Sequence, residues 1–278
     1  MSAKLVMSPV LTLELRAIGV WTPGYADAQA WAQRDACGPS DEPNARAPKA
    51  ELLPPMLRRR TSLLTRMAAE VAAQAIHGGA FDPGNVAVIY GSMYGEIRTT
   101  LDLLGALLTP DAPLSPTKFH NSVHNTAAGY VSIAAHNRCG NAALTAGRST
   151  LAMGLLECLG LLGSCEEPAV LVLAEEPLPE PLAAGRVYEP LAAAFGLCKP
   201  GFGDMSGRAC RLRQGSRDEA THVVRLPASL VESPCAPALV LADAAMRPGA
   251  SVVALEPHLP PDARGWLLEL DARPEAST

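Results

Sequence analysis

Short apolar runs and helically spaced apolar positions alternate along most of the chain. Residues 9–20, PVLTLELRAIGV, are rich in alternating apolar and β-branched side chains, which predicts an opening strand. Two further apolar runs are bounded by turn residues and predict buried strands: NVAVIYGS at 85–92 and PAVLVLAEE at 168–176. NAALTAG at 141–147 is a candidate strand that leads into a turn.

Helical spacing dominates between these runs. It predicts helices over residues 57–76, over 94–108 and over 148–163, and a further helix that starts near Asn121 or Ser122. Strand, helix and strand of near-continuous apolar character indicate a βαβ unit whose parallel sheet is covered on both faces. The predicted fold class is therefore α/β.

The segments on either side of this alternating strand and helix pattern differ from it in their predicted structure. Residues 21–55 are dense in Pro, Gly, Asp and Asn and predict a long surface excursion with one short helix around Trp31. After residue 207 the pattern predicts mainly strands, over 208–214, 221–232, 237–245, 251–257 and 265–272, followed by a frayed tail. The Pro-rich stretch 175–190 is predicted to be a surface loop, and no linker between separate domains is evident.

Composition and charge exclude several classes of function. The chain has 278 residues, of which 48% are hydrophobic, 18% charged and 4% aromatic, with a formal net charge of -5. This balance argues against a surface for nucleic acid or for membrane lipid, and against an aromatic platform for bases. The sequence has neither an apolar run of membrane-spanning length nor a secretory signal, which predicts a cytoplasmic protein without membrane insertion.

The cysteines and histidines indicate no metal site or cofactor. None of the seven cysteines forms a CxxC pair, so they are predicted to be reduced thiols. His120 and His124 are four residues apart and would share a face of a helix, but no third metal ligand is indicated. Interface or capping roles therefore carry more weight for these two histidines.

Residues 143–158, ALTAGRSTLAMGLLEC, predict a strand end, a tight turn on Gly147 and an apolar helix. Free backbone N–H groups and the helix dipole at such a turn stabilise a thiolate or an oxyanion, so many enzymes hold their nucleophile there. Gly147 supplies no nucleophile. Ser149 stands in G-R-S-T-L, which lacks the second glycine of a G-x-S-x-G turn.

Two motifs resemble the β-ketoacyl synthases. TAGRSTL, residues 145–151, resembles their T-A-C-S-S-S-L turn, with Gly147 where the acyl-carrying cysteine stands. Residues 114–134 resemble the S-P-x-x-F-x-x-S-V-x-N-x-x-A-G block of a bacterial ketosynthase-like N-terminal family, found in aryl polyene and related pigment or fatty-acid-like clusters. The resemblance covers roughly residues 10–210 and includes YGSMYGEI at 90–97, RRR at 58–60 and VLVLAEEPLPEPL at 170–182.

The resemblance implies a thiolase-like fold of two similar halves, with the nucleophile in the first half and catalytic histidines in the second. Residues 1–214 would form a largely complete first half of one ketosynthase-like domain, and residues 215–278 a strongly truncated, strand-rich remnant of the second. His222 and His258 lie in neither of the family's catalytic contexts. The implied protein is a non-catalytic, chain-length-factor-like subunit that pairs with an active β-ketoacyl synthase, shapes its acyl tunnel and meets an acyl carrier protein.

Three groups of residues follow as candidates from this resemblance. The groups are a degenerate elbow (Thr145, Ala146, Gly147, Arg148 and Ser149), an interface or tunnel wall (His120, Asn121, Ser122, Val123, Asn125, Gly129, Gly147 and Arg148), and a carrier-protein contact (Arg58, Arg59 and Arg60). Asn121, Ser122 and Asn125 of the second group could equally make local backbone hydrogen bonds, and the arginines of the third group could be a solvated helix start.

Two alternatives remain open at this stage. One is an acyltransferase or hydrolase that uses Ser149 or a cysteine, for which Cys139 and Cys158 are best placed although both are expected to be inert. The other is a structural scaffold. The adjacent Glu175 and Glu176 could form an acid/base pair, but neighbouring strand residues point to opposite faces, so solvated or loop-capping roles weigh more.

Overall fold

An eight-stranded mixed sheet forms the centre of the protein. The computed structural model describes residues 11–180 and 182–273. The strands are β1 Leu11–Trp21, β2 Ala87–Gly91, β3 Asn141–Leu144, β4 Ala169–Glu175, β5 Leu191–Cys198, β6 Arg208–Ser216, β7 Ser251–Ala254 and β8 Arg264–Leu270.

The sheet has the spatial order β3-β2-β4-β5-β1-β6-β8-β7. β2 runs parallel to both of its neighbours, β3 and β4, and every other neighbouring pair is antiparallel. The three parallel strands are those predicted from the apolar runs, which confirms the α/β class. The division suggested at residues 214 and 215 falls inside β6, and the sheet is continuous across it.

Helices cover the sheet and fill the connections. The longest two have 16 and 15 residues and overlap two of the segments for which helical spacing predicts a helix. The helices are α1 Ala28–Ala32, α2 Arg34–Cys37, α3 Pro43–Arg46, α4 Pro55–Arg58, α5 Leu63–Gly78, α6 Ile97–Leu107, α7 Pro116–Asn121, α8 Thr126–Ala134, α9 Thr150–Ser164, α10 Ala228–Val231 and α11 Ala236–Met246.

Each face of the sheet has its own hydrophobic core, and β4 contributes to both. Leu171 and Leu173 pack into the core that contains α1, α9 and α11, whereas Val170 and Val172 pack into the core that contains α5 and α8. This division follows from the alternation of side chains along a strand. Because both faces are covered, β4 is buried at every position, as a near-continuous apolar run predicts.

Two predicted strands are wrong. Residues 237–245 lie in α11, and residues 221–232 form no strand but end in the short helix α10. A continuous apolar run does not distinguish a buried strand from a buried helix. Here Pro237 in the first turn and the many alanines favour the helix, which is buried around most of its circumference. No strand is predicted over β5, whose eight residues are all buried.

The excursion over residues 21–55 is less exposed than predicted. It contains three short helices, and Trp31, Ala45, Ala50 and Leu53 are buried. The helix predicted over 57–76 is also wrong at its start. α5 begins at Leu63, because the hydroxyl of Ser62 accepts a hydrogen bond from Thr65 N at 3.0 Å and so caps it.

A buried ion cluster links α11 to the excursion. The carboxylate of Asp243 lies 2.7 Å from Arg34 Nη1, 2.8 Å from Arg247 Nε and 3.0 Å from His222 Nε2. Arg34 also stacks over the ring of Trp31, at 4.3 Å from the ring centroid. Burial favours the neutral form of Asp243, but the hydrogen bonds from Arg247 and Arg34 outweigh it and hold the pKa of the carboxyl below its usual value.

The two edges of the sheet differ. At the β7 edge, the carbonyl of Val252 accepts hydrogen bonds from Thr221 N and His222 N at 3.0 and 3.1 Å, and Val252 N donates to Thr221 Oγ1 at 2.9 Å. β3, at the other edge, pairs only with β2 among the described residues. Its residues are half-buried or exposed, so this edge is accessible.

Candidate functional site

Residues 145–149, which we name the elbow, connect the end of β3 to α9. Gly147 has a φ of +59°, a left-handed conformation that strains any residue with a Cβ, and it opens the short 3₁₀ turn Gly147–Ser149. A Cβ built on Gly147 would meet no atom within 4 Å. The turn therefore has the left-handed backbone of a nucleophile elbow, which glycine adopts without strain, and open space where the side chain of a nucleophile would stand.

Local hydrogen bonds hold the elbow in shape. Thr150 Oγ1 donates to Gly147 O at 2.6 Å and accepts from Ala146 N at 3.1 Å. Thr145 Oγ1 donates to Met93 O at 3.3 Å, which ties the elbow to the turn after β2. The elbow is thus fixed by Thr145 and Thr150 rather than by any contact to the side-chain position of residue 147.

Ser149 and Arg148 face residues from the C-terminal part of the chain. Ser149 Oγ donates a hydrogen bond to Glu256, and Arg148 Nη2 lies 3.8 Å from Glu232 Oε2 with both side chains half-exposed. A serine nucleophile needs a base to take its proton. Glu256 is the only base that contacts Ser149 within the described residues, and its other oxygen accepts from Trp266 N at 3.0 Å.

Cys139 and Cys158, the two candidate thiols, are poorly suited to act as nucleophiles. All seven cysteines are free. Burial raises the pKa of Cys158, and partial burial together with the charge of Glu167 raises the pKa of Cys139. Since the thiolate is the reactive form, both shifts reduce reactivity.

The segment before the elbow is not the single helix that the sequence predicts. α7 ends at Asn121 and α8 starts at Thr126, so His124 lies in the intervening turn and does not share a helical face with His120. Ser122 N donates to Phe119 O, Thr126 N donates to Val123 O, and the Ser122 hydroxyl also donates to Phe119 O at 2.8 Å. These local bonds replace the continuous ladder of one helix.

His124 and Asn121 turn inward, while other candidates of this segment face solvent. His124 Nε2 lies 3.0 Å from Leu144 O, directly before the elbow, and its ring would clash with a Cβ on Gly95 at 2.7 Å. Asn121 is buried, donates to Arg60 O and accepts from Tyr130 Oη at 2.9 Å. His120, Val123 and Asn125 are exposed, and a Cβ on Gly129 would meet open space.

The triple arginine does not lie in the first turn of a helix. Arg58 ends α4, and Arg59 and Arg60 follow it before the cap of α5. Arg58 Nη1 donates to Lys49 O at 2.9 Å, whereas Arg59 and Arg60 are exposed. The alternative that these arginines start a helix is therefore wrong.

Apolar side chains are exposed on α6, on α7 and around them. Phe119 is 69% exposed and Leu108 is 86% exposed, although both are large hydrophobic residues. Exposed apolar residues that cluster in this way mark sites of protein interaction. We name the group the apolar face: Leu104, Leu107, Leu108, Leu114, Phe119 and Val123.

Glu175 caps a loop, which is one of the two roles expected for the adjacent carboxyls. The other expected role, a solvated position, is wrong for both, because Glu175 and Glu176 are 1% and 6% exposed. Glu175 accepts hydrogen bonds from Ser92 Oγ at 3.0 Å and from Met93 N, and so supports the turn that binds Thr145. Glu176 points elsewhere, with Oε2 at 3.6 Å from Arg98 Nε. Burial raises the pKa of Glu175 to about 7 against these hydrogen bonds.

We expect Glu175→Gln to stabilise the fold at pH 8. The folded state holds a proton on Glu175 that the unfolded state loses above its ordinary pKa of 4.5, so this stabilising contribution is complete below pH 4.5 and is lost as the pH rises through about 7. The loss amounts to roughly 3 kcal/mol. Urea unfolding between pH 5 and 8 should show a flatter pH dependence for the variant.

The exposed Glu180 provides the matched control, because Glu180→Gln makes the same chemical change at the surface. Its pH dependence should follow that of the unsubstituted chain. A Glu175→Gln variant with the same pH dependence as Glu180→Gln would contradict the assignment.

The fold and the elbow together define the class of protein. A mixed sheet with helices on both faces, in which a parallel strand leads through a left-handed turn into a buried helix, is the thiolase-like ketosynthase architecture. The chain belongs to the β-ketoacyl synthase family: the model of its N-terminal domain matches residues 28–242. No curated protein matches the chain.

Solved structures support the fold. The chain is similar to one chain of the complex of the ketosynthase ApeO with its chain length factor ApeC from Xenorhabdus doucetiae, with a TM-score of 0.66, 22% identity and coverage of 93% of this chain and 99% of that one. For the ishigamide ketosynthase/chain length factor the TM-score is 0.57 at 15% identity, and the match covers 74% of this chain and 68% of that one. For the type II polyketide complex AntDE:AntF, of an acyl carrier protein with its ketosynthase, the TM-score is 0.58 at 12% identity, and the match covers 74% of this chain and 69% of that one.

The first of these likenesses bears on chain length. Because nearly all of both chains is matched, a solved structure of the ketosynthase fold exists with about the same length as this chain.

Among the described residues, every helix is too short or too polar to span a membrane.

Proposed function

We propose that the chain is a non-catalytic, chain-length-factor-like subunit that pairs with an active β-ketoacyl synthase. The pair would act in aryl polyene or in fatty-acid-like or polyketide-like synthesis, with this chain shaping the acyl tunnel. The observation that carries the proposal is Gly147, which occupies the left-handed elbow position, at a φ of +59°, without a thiol. Decarboxylative condensation needs a thiolate to hold the acyl chain and polarising groups to stabilise the enolate.

Further observations support a partner. β3 is an accessible sheet edge, and the apolar face is exposed nearby on the helices that precede it. Such surfaces are usually covered by another chain. The comparisons include complexes of a ketosynthase with its chain length factor, and one complex with an acyl carrier protein. Our candidates for a carrier-protein contact are Arg58, Arg59 and Arg60. Our candidates for the shared interface or the tunnel wall are His120, Asn121, Ser122, Val123, Asn125, Gly129, Gly147 and Arg148.

Co-expression with the ketosynthase encoded beside it tests the pairing. We expect a stable one-to-one complex in size-exclusion chromatography, in which the ketosynthase extends an acyl carrier protein thioester. Ser149→Ala in this chain should leave that activity unchanged. Two separate peaks would count against the proposal.

The enzyme alternative is tested on the chain alone. Ser149 is its best candidate because its hydroxyl already contacts a carboxylate, Glu256. We expect the isolated chain to hydrolyse no thioester. We also expect that labelling with a fluorophosphonate or a chloroacetamide removes no activity of the chain. A turnover lost in Ser149→Ala would establish the alternative instead.

A further inference from the structure

A cavity beside β1, which we name the β1 notch, lies away from the elbow. Its volume is about 800 Å³, within the roughly 300–1,000 Å³ that small-molecule sites occupy. Ala17 lines it, and the strand pairs place Ala17 level with Asn141, the first residue of β3, whereas the elbow follows the last. β2, β4 and β5 also separate β1 from β3, a distance of roughly 19 Å at about 4.8 Å per strand. The notch is therefore separate from the elbow.

The notch exists because β1 is longer than its pairing with β6. That pairing ends at Leu15, whereas β1 continues to Trp21. Beyond this point Gln74 of α5 takes the place of a neighbouring strand, because its Oε1 accepts from Val20 N at 3.0 Å and its Nε2 donates to Ala26 O at 2.8 Å. The C-terminal ends of α5 and α11 and the start of α1 form the other walls.

Positive charge predominates among the side chains that line the notch. The side chains of Arg16 and Arg208 are buried in its walls, and Arg273 is exposed. Among the described residues, Asp27 is the only carboxylate of the lining, and it already caps α1. Arg16 lies 3.4 Å from the carboxylate of Glu14 and is compensated by it. Two guanidinium groups, those of Arg208 and Arg273, remain to be accounted for.

These two guanidinium groups are neighbours without a carboxylate. Arg208 Nη1 and Arg273 Nη2 both donate to Ala245 O, at 3.3 and 2.9 Å. Within the described part of the chain neither of them forms an ion pair, and Arg208 otherwise donates only to main-chain carbonyls. Burial and the charge of Arg273 lower the pKa of Arg208, so its charged form is incompletely compensated. An anion in the notch would compensate both charges.

Neutral polar groups define the rest of the ligand. Gln29 and Ser206 line the notch and are exposed, and their side chains make no hydrogen bond to other described residues. An amide and a hydroxyl group both donate and accept, so they suit the hydroxyl groups of a polyol or a sugar. No aromatic side chain of the described residues lines the notch, so a nucleobase would find no ring on which to stack.

We propose that the β1 notch binds the phosphate monoester of a small polyol or sugar, with the phosphate at Arg273 beside Arg208 and the hydroxyl groups at Gln29 and Ser206. A phosphate monoester carries a charge of about −1.5 to −2 at neutral pH, which matches two guanidinium groups better than a carboxylate does. Guanidinium also binds phosphate through two parallel hydrogen bonds. The inference goes beyond the proposed function, since neither the elbow nor the pairing with a ketosynthase involves the notch.

Three probes separate the contributions of the phosphate and of the hydroxyl-bearing part. Calorimetric titration of the full chain with glucose 6-phosphate should give one saturable site. Glucose should not bind, and inorganic phosphate should bind at least about tenfold more weakly than glucose 6-phosphate. Arg273→Gln should weaken the binding of glucose 6-phosphate about tenfold. Ser206→Trp, at an exposed position that tolerates a larger side chain, should weaken it by filling the notch.

Matched variants outside the notch control for charge and for bulk. Arg264→Gln removes another exposed arginine, and Met205→Trp enlarges a residue that is 45% exposed beside Ser206. Neither residue lines the notch, so both variants should bind glucose 6-phosphate as the unsubstituted chain does. The proposal is overturned if glucose 6-phosphate does not bind, if glucose or inorganic phosphate binds as tightly, or if Arg273→Gln or Ser206→Trp binds like its control. These outcomes leave the pairing with a ketosynthase untouched, because that pairing is measured separately.

Discussion

Asp243→Ala is expected to lower the free energy of unfolding by about 3–5 kcal/mol. The substitution leaves the guanidinium of Arg34 buried beside Trp31 without its charge partner, and it also removes the anchor of Arg247. A domain of this size is stable by only about 5–15 kcal/mol, so the loss is a large part of the total. Urea unfolding followed by circular dichroism measures it.

The exposed pair Asp41 and Arg46 supplies the control. Asp41 lies 3.2 Å from Arg46, and its side chain is 98% exposed. Asp41→Ala should change stability by less than about 1 kcal/mol, because water screens a surface pair. Equal effects of the two substitutions would refute a structural role for the buried cluster.

The stability that Asp243 contributes should also depend on pH. Its pKa is lower in the folded state than in the unfolded state, so the contribution is complete above the ordinary pKa and is lost as the pH falls through the folded value. The unsubstituted chain and Asp243→Ala should therefore approach each other in stability under acid conditions.

Glutamate in place of Leu107 and Phe119 is expected to weaken the complex with the ketosynthase by at least about 100-fold. Leu107 and Phe119 are 62% and 69% exposed, so the double substitution should leave the isolated chain folded. In a complex the two carboxylates would have to leave water without a partner, which is costly. Analytical ultracentrifugation or surface binding measures the change.

Val187→Glu places one carboxylate at another exposed apolar position, at 79% exposure, outside the apolar face. We expect the complex to tolerate it. If the double variant binds the ketosynthase as tightly as Val187→Glu does, the apolar face is not the contact surface, and the β3 edge or the α8 helix would have to be tested instead.

The sequence was most informative where one period dominates and where contacts are local. The runs of β2, β3 and β4 and the apolar spacing of α9 each favour one structure, and the elbow between β3 and α9 follows from their order. α11 could not be assigned in this way, because it is apolar on nearly every side and so shows no period. The single helix expected near Asn121 fails for a different reason, since local hydrogen bonds break it into α7, a turn and α8.

Two side-chain hydrogen bonds at the candidate site join parts of the chain that are distant in sequence. Glu175 reaches Ser92 across 83 residues, and Ser149 reaches Glu256 across 107. No local pattern encodes such a contact, because each residue type is compatible with a solvated position. Gly147 is the exception, since a glycine between a strand and a helix already indicates a left-handed turn.

The unequal edges of the sheet limit how the protein can assemble. Thr221 and His222 occupy the outward hydrogen-bonding groups of Val252, so strand addition at β7 is blocked there, whereas β3 remains accessible. A sheet that is open at both ends can stack head to tail without limit and form fibres. A sheet that can add a strand at one end only is restricted, along this direction, to a closed pair, so the blocked β7 edge limits polymerisation of the protein.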